Sequence, residues 1–430
     1  MSDKPNEKSP PSFDPEGSSA PTEVGEEKPV SELNPAPDGG LEAWLVATGA
    51  GFVFFCGLGF ANSFGVFQEY YMSHQLKEES ADKIAWIGSL AAFLQFFAGA
   101  IGGPLFDQYG VWVIRPAAIL YVFSVMMLSL CKEYWQFMLA QGVLMGVTMG
   151  LMMFPAMAAV SQFFDKKRAA ALGITISGSS IGGIVLPIAL SRMMRSSLGF
   201  AWSVRIIGFI MVPLLAFAII TLKSRLPPRT GKFFLAAAWK EWTYVLLVAS
   251  LFFMFVGMFT PLFYLPAYAV SRGMGANLAS YMLAILNGAS TFGRVIPGIL
   301  ADKFGRMNML VIAGISNGIV IFCFNQAKST AGIVVYSIVF GFSSGMIISG
   351  GSAALTTCCK DPRNMGTYMG MGIAVGSIAA LIGPPFNGML VDRYHGFSEV
   401  SMFSGAMCLV GGFLAVASKL VAGKGVFARI

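Results

Sequence analysis

The stretch Gly103-Pro-Leu-Phe-Asp107-Gln-Tyr-Gly110 follows a long apolar run. The same pattern returns as Gly298-Ile-Leu-Ala-Asp302-Lys-Phe-Gly305-Arg306, again after an apolar run. The first glycine, the aspartate and the second glycine each lie 195 positions after their counterparts. Two copies in register, each closing a hydrophobic segment, are typical of a duplicated membrane protein with a short polar hinge in each half.

The composition agrees with a protein that crosses the membrane many times. Of the 430 residues, 55% are hydrophobic and 12% are charged, whereas a soluble domain carries about 25% charged residues. The mean hydropathy is +0.68. We therefore expect a lipid bilayer as the partner, and we assign the net charge of +7 to cytosolic loops rather than to binding of nucleic acid.

Twelve segments are apolar over about the 20 residues that a spanning helix needs. The longest polar break after the N-terminal tail separates the sixth from the seventh. The predicted fold class is therefore an all-α integral membrane protein with twelve transmembrane helices in two pseudo-symmetric six-helix halves. Numbered as spans 1 to 12, the segments are Trp44–Phe67, Ile84–Phe106, Val111–Cys131, Tyr134–Phe164, Ala169–Leu190, Phe200–Leu222, Trp242–Val270, Ala276–Ala301, Met307–Phe324, Ala331–Thr357, Gly366–Met389 and Val400–Leu420.

The chain divides into five predicted regions. Residues 1–40, rich in proline, serine and glutamate, are expected to form a disordered cytosolic tail. The two six-helix halves are 41–222 and 242–420, a cytosolic central loop at 223–241 joins them, and 421–430 form a cytosolic tail. The predicted inner loops and C-terminus carry fifteen lysine and arginine residues and the outer loops eight, which places both termini in the cytosol. We expect a multi-pass protein of the plasma membrane.

Patterns that would indicate catalysis or metal binding are absent from the sequence. The six cysteines are not spaced with histidines as metal ligands are, and no P-loop or histidine cluster is present. We therefore predict no catalytic residues, no metal, no cofactor, no structural disulfide and no enzymatic activity. The missing P-loop also excludes an ATP-driven pump.

Arg294 is the deepest basic residue of the predicted spans. It lies eight positions before Asp302, which is roughly 12 Å along a helix from the hinge and too deep to reach the membrane surface easily. A buried cation needs a partner, and no Asp or Glu lies deep in any span. The substrate is therefore predicted to supply the negative charge, as a small organic anion. An internal ion pair or a bond to backbone carbonyls is the alternative for Arg294.

Other side chains are predicted to contact the substrate or to gate the pathway. Asp302 with Arg306 would clamp the inner gate and release when it opens, and Asp107 would act in the same way at the first hinge, because an acid at a helix N-terminus is favoured by the helix dipole. The predicted cavity residues are Asn62, Gln95, Tyr264, Asn287 and Ser290; each has an alternative as an interhelical hydrogen bond. Proton coupling stays open, since a hinge acid, Glu69 or the substrate itself could carry the proton.

From Asp38 to Leu420 the chain resembles the major facilitator superfamily, on the strength of the hinge pattern after spans 2 and 8. Within it, two runs resemble the monocarboxylate-porter family: Asp38-Gly-Gly-Leu-Glu-Ala-Trp44 and Asn62-Ser-Phe-Gly-Val-Phe67. Three others are similar to fungal relatives that move small organic acids, vitamins or secondary metabolites: Tyr264-Leu-Pro-Ala-Tyr268, Gly293-Arg294 and Gly383-Pro384-Pro385.

Three departures from that family bear on mechanism. Animal lactate carriers have a lysine at the position resembling Asn62 and an aspartate at the position resembling Ser290. Both substitutions argue against proton-coupled transport of the lactate type. The first hinge also lacks an arginine directly after Gly110, and the nearest one is Arg115.

The resemblance implies a secondary active or facilitative transporter of a small organic anion or secondary metabolite, working by alternating access. Export of the product of a biosynthetic cluster is one form of this prediction. The alternatives are an uptake carrier for a vitamin or nutrient, such as a riboflavin-like compound, and a non-transporting membrane sensor.

Overall fold

The computed structural model describes residues 35–229, 233–394, 396–423 and 425. All regular secondary structure in these residues is helical, which confirms the predicted class. The predicted tail lies outside the described residues up to position 34. The α-helices of the spans are Gly40–Cys56, Leu58–Ala61 and Phe64–Ser73 (span 1), Ala81–Phe97 and Gly99–Tyr109 (2), Ile114–Leu128 (3), Tyr134–Phe137 and Met145–Phe163 (4), Arg168–Met194 (5), Gly199–Thr221 (6), Trp242–Ser271 (7), Ala276–Phe304 (8), Arg306–Phe322 (9), Thr330–Leu355 (10), Met365–Tyr394 (11) and Ser398–Val421 (12).

Eleven helical stretches in the described part of the chain are long and apolar enough to cross a bilayer. One of them, Lys83–Leu128, has 46 residues, which at 1.5 Å per residue is more than twice the ~30 Å of the hydrocarbon core. It turns at Gly110, whose φ of 64° favours glycine. This stretch therefore contains spans 2 and 3, and twelve spans result. The second hinge turns at Gly305, with φ 103°.

Two spans depart from regular α-helix. Span 1 is interrupted at Gly57 and again at Asn62 and Ser63, and span 4 contains a π-helical turn at Met138–Leu144. Irregular backbone at membrane depth is tolerated where protein or a water-filled cavity surrounds it. The interruption therefore places Asn62 at a point where span 1 turns within the bundle.

Four spans form the main contacts between the first six helices and the last six. Span 5 packs along span 8, and span 2 packs along span 11. Small residues at these crossings allow the backbones to approach closely. Large apolar side chains such as Phe209, Ile220 and Phe413 are exposed on the outside of the bundle, as a surface that faces lipid requires.

Two segments outside the spans are described, one between spans 6 and 7 and one before span 1. Residues 222–229 follow span 6 without regular helix, and a short 3-10 turn at Ala236–Lys240 precedes span 7. Asp38 lies within the predicted tail, and its Oδ1 accepts from the backbone N–H groups of Asp165 and Lys166 at 2.6 and 2.7 Å. These bonds hold the chain before span 1 against the connection between spans 4 and 5.

Candidate functional site

Asp107, at the end of span 2, caps the first turn of span 11. Its carboxylate accepts from the backbone N–H groups of Gly366 and Thr367 at 3.1 and 2.7 Å and from the Thr367 hydroxyl at 2.6 Å. The first N–H groups of a helix have no partner within the helix, and the helix dipole favours a negative charge there. The buried Asp107 side chain therefore joins the two sets of six helices.

Asp302, at the end of span 8, caps span 5 in the same way. Oδ1 accepts from the N–H of Ala169 at 3.0 Å and Oδ2 from the N–H of Ala170 at 2.8 Å. The Arg306 Nε lies 3.5 Å from Oδ1, and the Arg306 Nη2 donates to the Asp165 carbonyl. The acid that the sequence assigned to gating thus binds the start of span 5, and the arginine binds a residue three positions before it.

The two caps are related by the internal repeat. Asp302 lies 195 positions after Asp107, and Gly366 and Thr367 lie 197 positions after Ala169 and Ala170. Each aspartate therefore reaches from one set of six helices to the equivalent helix start in the other set. We call the side of the bundle that carries these two caps the aspartate end.

Glycines near each cap let the helices cross at close range. A methyl group on Gly103 would overlap the Gly366 carbonyl oxygen, and one on Gly298 would lie 2.7 Å from the Ala169 carbonyl oxygen. These two glycines open the two hinge motifs. Backbone contact at both crossings, together with the two caps, joins the two sets of six helices at the aspartate end.

Arg294 lies two turns before Asp302 on span 8 and contacts span 5. Its side chain is 3% exposed, and Nη1 donates to the Ile176 carbonyl at 2.8 Å and to the Ser179 hydroxyl. The backbone of Arg294 is also covered, because a methyl group on Gly173 would overlap the Arg294 carbonyl oxygen. The repeat relates this contact to that of Gly99 with Gly370 between spans 2 and 11, so Arg294 has a glycine as its counterpart.

The acceptors around Arg294 are neutral. Among the described residues, no carboxylate lies within 4.0 Å of its guanidinium, and Nε is buried without a hydrogen-bond partner. A carbonyl and a hydroxyl orient the group but do not neutralise it. The arginine is therefore a cation between the two sets of helices with hydrogen-bonding capacity unused.

Asn62 and Asn287 converge on Gly183 of span 5. A methyl group on Gly183 would lie 2.6 Å from Asn62 Nδ2 and 3.1 Å from Asn287 Nδ2. Asn287 also donates to the Leu283 carbonyl of its own helix at 3.0 Å and is buried, whereas Asn62 is exposed. Asn62 and Asn287 therefore lie together where spans 1, 5 and 8 meet, and their contact with substrate remains a prediction.

The other three predicted cavity residues lie elsewhere. Ser290 is buried against span 10, with Oγ 3.0 Å from where a methyl group on Gly345 would lie. Gln95 is buried, and its Nε2 has no partner among the described residues. Tyr264 lies over Gly388, with its ring 6.5 Å from that of Phe397. No hydrogen bond joins these three side chains to Arg294 in the described part of the chain, and their contact with substrate remains a prediction.

Two side chains that form hydrogen bonds with predicted site residues were not identified from the sequence. Thr367 donates its hydroxyl to Asp107, and Ser179 accepts from Arg294. Thr367 occupies the position of Ala170 in the repeat, but the contact of Ala170 with Asp302 is itself known only from the structure. Nothing in the sequence distinguishes Ser179 from Ser177 and Ser180 beside it.

Comparisons with a family model and with individual proteins both match most of the chain. Residues 49–325 and 295–424 match the Major Facilitator Superfamily. The chain is 51% identical over 394 residues to the aspyridones efflux protein apdF of Emericella nidulans, covering 92% of this chain and 81% of that one. It is 39% identical over 409 residues to the agnestins efflux protein AgnL12 of Paecilomyces divaricatus, covering 94% and 92%.

The fold has solved counterparts. The crystal structure of the human organic anion transporter MFSD10 superposes with a TM-score of 0.70 at 14% identity, covering 88% of this chain and 100% of that chain. At this identity the similarity concerns the fold alone.

Proposed function

Because the chain belongs to the Major Facilitator Superfamily, we propose that it exports a small acidic secondary metabolite by alternating access. The observation that carries this proposal is Arg294, a buried cation between spans 5 and 8 whose described partners are neutral. The efflux activity stated for the two fungal relatives supports export rather than uptake of a vitamin or nutrient. Within the superfamily, we retain the resemblance to fungal members of the monocarboxylate-porter family.

The case for an anionic substrate rests on the energetics of burial. Removing a guanidinium from water costs several kcal/mol unless an opposite charge and further hydrogen bonds compensate. Nη1 has two neutral acceptors, and Nε has none among the described residues. A carboxylate could bind such a guanidinium through two parallel hydrogen bonds, as arginine commonly binds carboxylates. Binding would also draw Nη1 from span 5.

We assign a second part of the substrate pathway to Asn62 and Asn287. They meet at Gly183, whereas Arg294 lies seven residues further along span 8 than Asn287. This separation is about 10 Å along the helix. A metabolite with an acidic group at one end and a carbonyl or hydroxyl at the other could bind both places. Gln95, Tyr264 and Ser290 remain proposed contacts.

Alternating access requires the aspartate end to open. We propose that the halves 41–222 and 242–420 rock about the site, and that Asp107 and Asp302 leave their helix starts as that end opens. The excess of basic residues in the inner loops supports a cytosolic aspartate end with both termini cytosolic. The plasma membrane is the location that export would require. The hinge acids are the residues through which protons could be coupled to opening.

The experiment compares acids with their neutral analogues. The wild type and variants are expressed in a fungal host that lacks its own exporter, and efflux is measured for aromatic carboxylic acids and their primary amides. We expect the wild type to export acids in preference to amides, Arg294→Gln to lose acid export, and Arg294→Lys to be impaired because lysine lacks the planar fork. The matched control is Arg205→Gln, since Arg205 stacks over Trp202 and binds Ser129 within one half. Equal export of acid and amide, unchanged in Arg294→Gln, would overturn the proposal.

A further inference from the structure

We infer that Arg229, in the segment between spans 6 and 7, is a positioning residue of the closed gate. It holds Asp107 against the start of span 11 and supplies the arginine that the first hinge lacks. The central segment then stabilises the closed aspartate end as well as connecting the two halves. The inference rests on the proposed transport cycle only in that the aspartate end must open and close.

The two hinges differ at one informative position. Arg306 lies four residues after Asp302, and the position four residues after Asp107 is Val111. The nearest downstream arginine, Arg115, does not fill this role, because its guanidinium lies over the exposed Trp112 ring at 4.0 Å. The Asp107 cap therefore has no arginine from its own hinge.

Arg229 approaches this cap from the central segment. Its backbone N–H donates to the Asp107 carbonyl at 2.7 Å, and its guanidinium attracts the Asp107 carboxylate. Nη1 donates to the Asn364 Oδ1 at 3.1 Å and Nη2 to the Phe233 carbonyl at 2.9 Å. Although it lies in a connecting segment, the residue is only 7% exposed. Arginine is rarely buried unless its side chain has specific partners. The burial of Arg229 therefore indicates a structural role.

The contacts of Arg229 parallel those of Arg306. Arg306 links the Asp302 carboxylate to the carbonyl of Asp165, three residues before span 5 begins. Arg229 links the Asp107 backbone to Asn364, one residue before span 11 begins. In each case an arginine fixes a hinge aspartate to the residues that lead into the helix it caps. Two arginines that are distant in sequence therefore stabilise the two caps in a similar way, Arg306 beside the carboxylate of its hinge aspartate and Arg229 through the backbone of the other.

This arrangement has a mechanical consequence. Asp107 belongs to the first half and Asn364 to the second, while Arg229 belongs to the segment between them. When the aspartate end opens, Asp107 and Asn364 separate and Arg229 must release at least one of them. The central segment therefore stabilises the closed aspartate end, and weakening Arg229 should favour the open one.

The test uses a reporter thiol near the Asp302 cap rather than the Asp107 cap. A local disturbance at Asp107 alone would therefore not change its labelling rate. Ser349 is buried in a small void with Ala169 and Gly298, between spans 5, 8, 9 and 10. With the native cysteines replaced, Ser349→Cys supplies a single thiol, and its rate of maleimide labelling is measured in purified full-length protein without substrate. We expect Arg229→Gln to raise this rate at least about tenfold, since a hydrogen bond to a charged group is lost from the closed state. Arg229→Lys should give a smaller increase.

Two further variants keep the test decisive. Asn364→Ala removes the same hydrogen bond from the other partner and should reproduce the increase even if Arg229→Gln folds poorly. Lys223→Gln is the matched control, because Lys223 lies in the same segment but forms an exposed ion pair with Glu42. Labelling rates in Arg229→Gln and Asn364→Ala equal to that of Lys223→Gln would overturn the inference. Since no substrate is present, that result would leave the acid specificity of Arg294 untouched.

Discussion

Replacing Asp302 by asparagine should open the aspartate end. The carboxylate accepts from two backbone N–H groups, at 3.0 and 2.8 Å, and lies within 3.5 Å of Arg306. Asparagine keeps the shape and one acceptor oxygen, but its amide nitrogen would face the second N–H. The substitution therefore removes a charge-assisted hydrogen bond and the interaction with the dipole of span 5.

The size of the effect follows from these contacts. A hydrogen bond to a charged group contributes about 1.5–3 kcal/mol, and a charge at a helix N-terminus about 0.3–1 kcal/mol. The Asp302 side chain is 8% exposed, so water and salt screen it little. A loss of ~2–4 kcal/mol from the closed state corresponds to a shift of roughly 30-fold to 700-fold toward the open one.

Native Cys359 serves as the reporter for this prediction. Its thiol binds the Asp361 carbonyl at 2.9 Å and lies close enough to Asp107 and Arg168 to interact with both charges. Burial raises the pKa of the Cys359 thiol, so the reactive thiolate is scarce while the aspartate end is closed. Opening admits water and should accelerate maleimide labelling in a variant that retains only this cysteine.

The control for Asp302→Asn is Asp165→Asn. The Asp165 side chain is 66% exposed and pairs with Arg168 at 3.1 Å, so its loss should change the equilibrium by less than about fivefold. We expect Asp302→Asn to label far faster than Asp165→Asn and to transport more slowly with nearly unchanged substrate affinity. If the two variants label Cys359 at the same rate, Asp302 does not hold the aspartate end closed.

Three further predictions concern single positions. Gly370→Ala should prevent full closure and abolish transport at normal protein levels, because its methyl group would overlap the Gly99 carbonyl oxygen; retained transport would contradict the tight crossing. Gly183→Ala should raise KM more than it lowers turnover, since the methyl group would displace Asn62; an unchanged KM would remove this place from the pathway. A lone cysteine introduced by Lys240→Cys, at an exposed position, should resist impermeant thiol reagents in intact cells if the central segment is cytosolic, and labelling there would reverse the topology.

The number and type of spans could be predicted from the sequence because they depend on local properties. Apolar segments of sufficient length must form helices in a bilayer, where each backbone polar group needs a partner. The repeat located both hinges, and Gly110 and Gly305 both have the positive φ that such turns require. Helix ends were less predictable: span 1 was predicted as Trp44–Phe67 but reaches from Gly40 to Ser73.

The partners of the site residues could not be predicted, because they come from distant parts of the chain. Sequence identified Asp107 as an acid at a hinge, but its partners lie 259 and 260 positions later. Ser290 was predicted as a cavity residue, and its packing against Gly345 of span 10 could not be predicted from the sequence. A small change in helix rotation decides such outcomes, and tertiary packing sets that rotation.

Arg229 shows the same limit of sequence reasoning. As a basic residue in a polar connecting segment, Arg229 would be predicted to be exposed and to indicate the cytosolic side of the membrane. In the structure it is buried and bonded to Asp107 and Asn364. A cysteine at this position would resist labelling whatever its side of the membrane, which is why the topology test uses Lys240.

Binding of an acid and its amide to purified wild type and Arg294→Gln tests the central claim most directly. Isothermal titration with aromatic carboxylic acids and their primary amides gives the affinity ratio for each protein without transport or expression effects. We expect the wild type to bind the acid at least about tenfold more tightly, equivalent to about 1.4 kcal/mol, and Arg294→Gln to bind both alike. A preference for the acid that persists in Arg294→Gln would show that another group binds the anion, and that Arg294 serves only to hold span 8 against span 5.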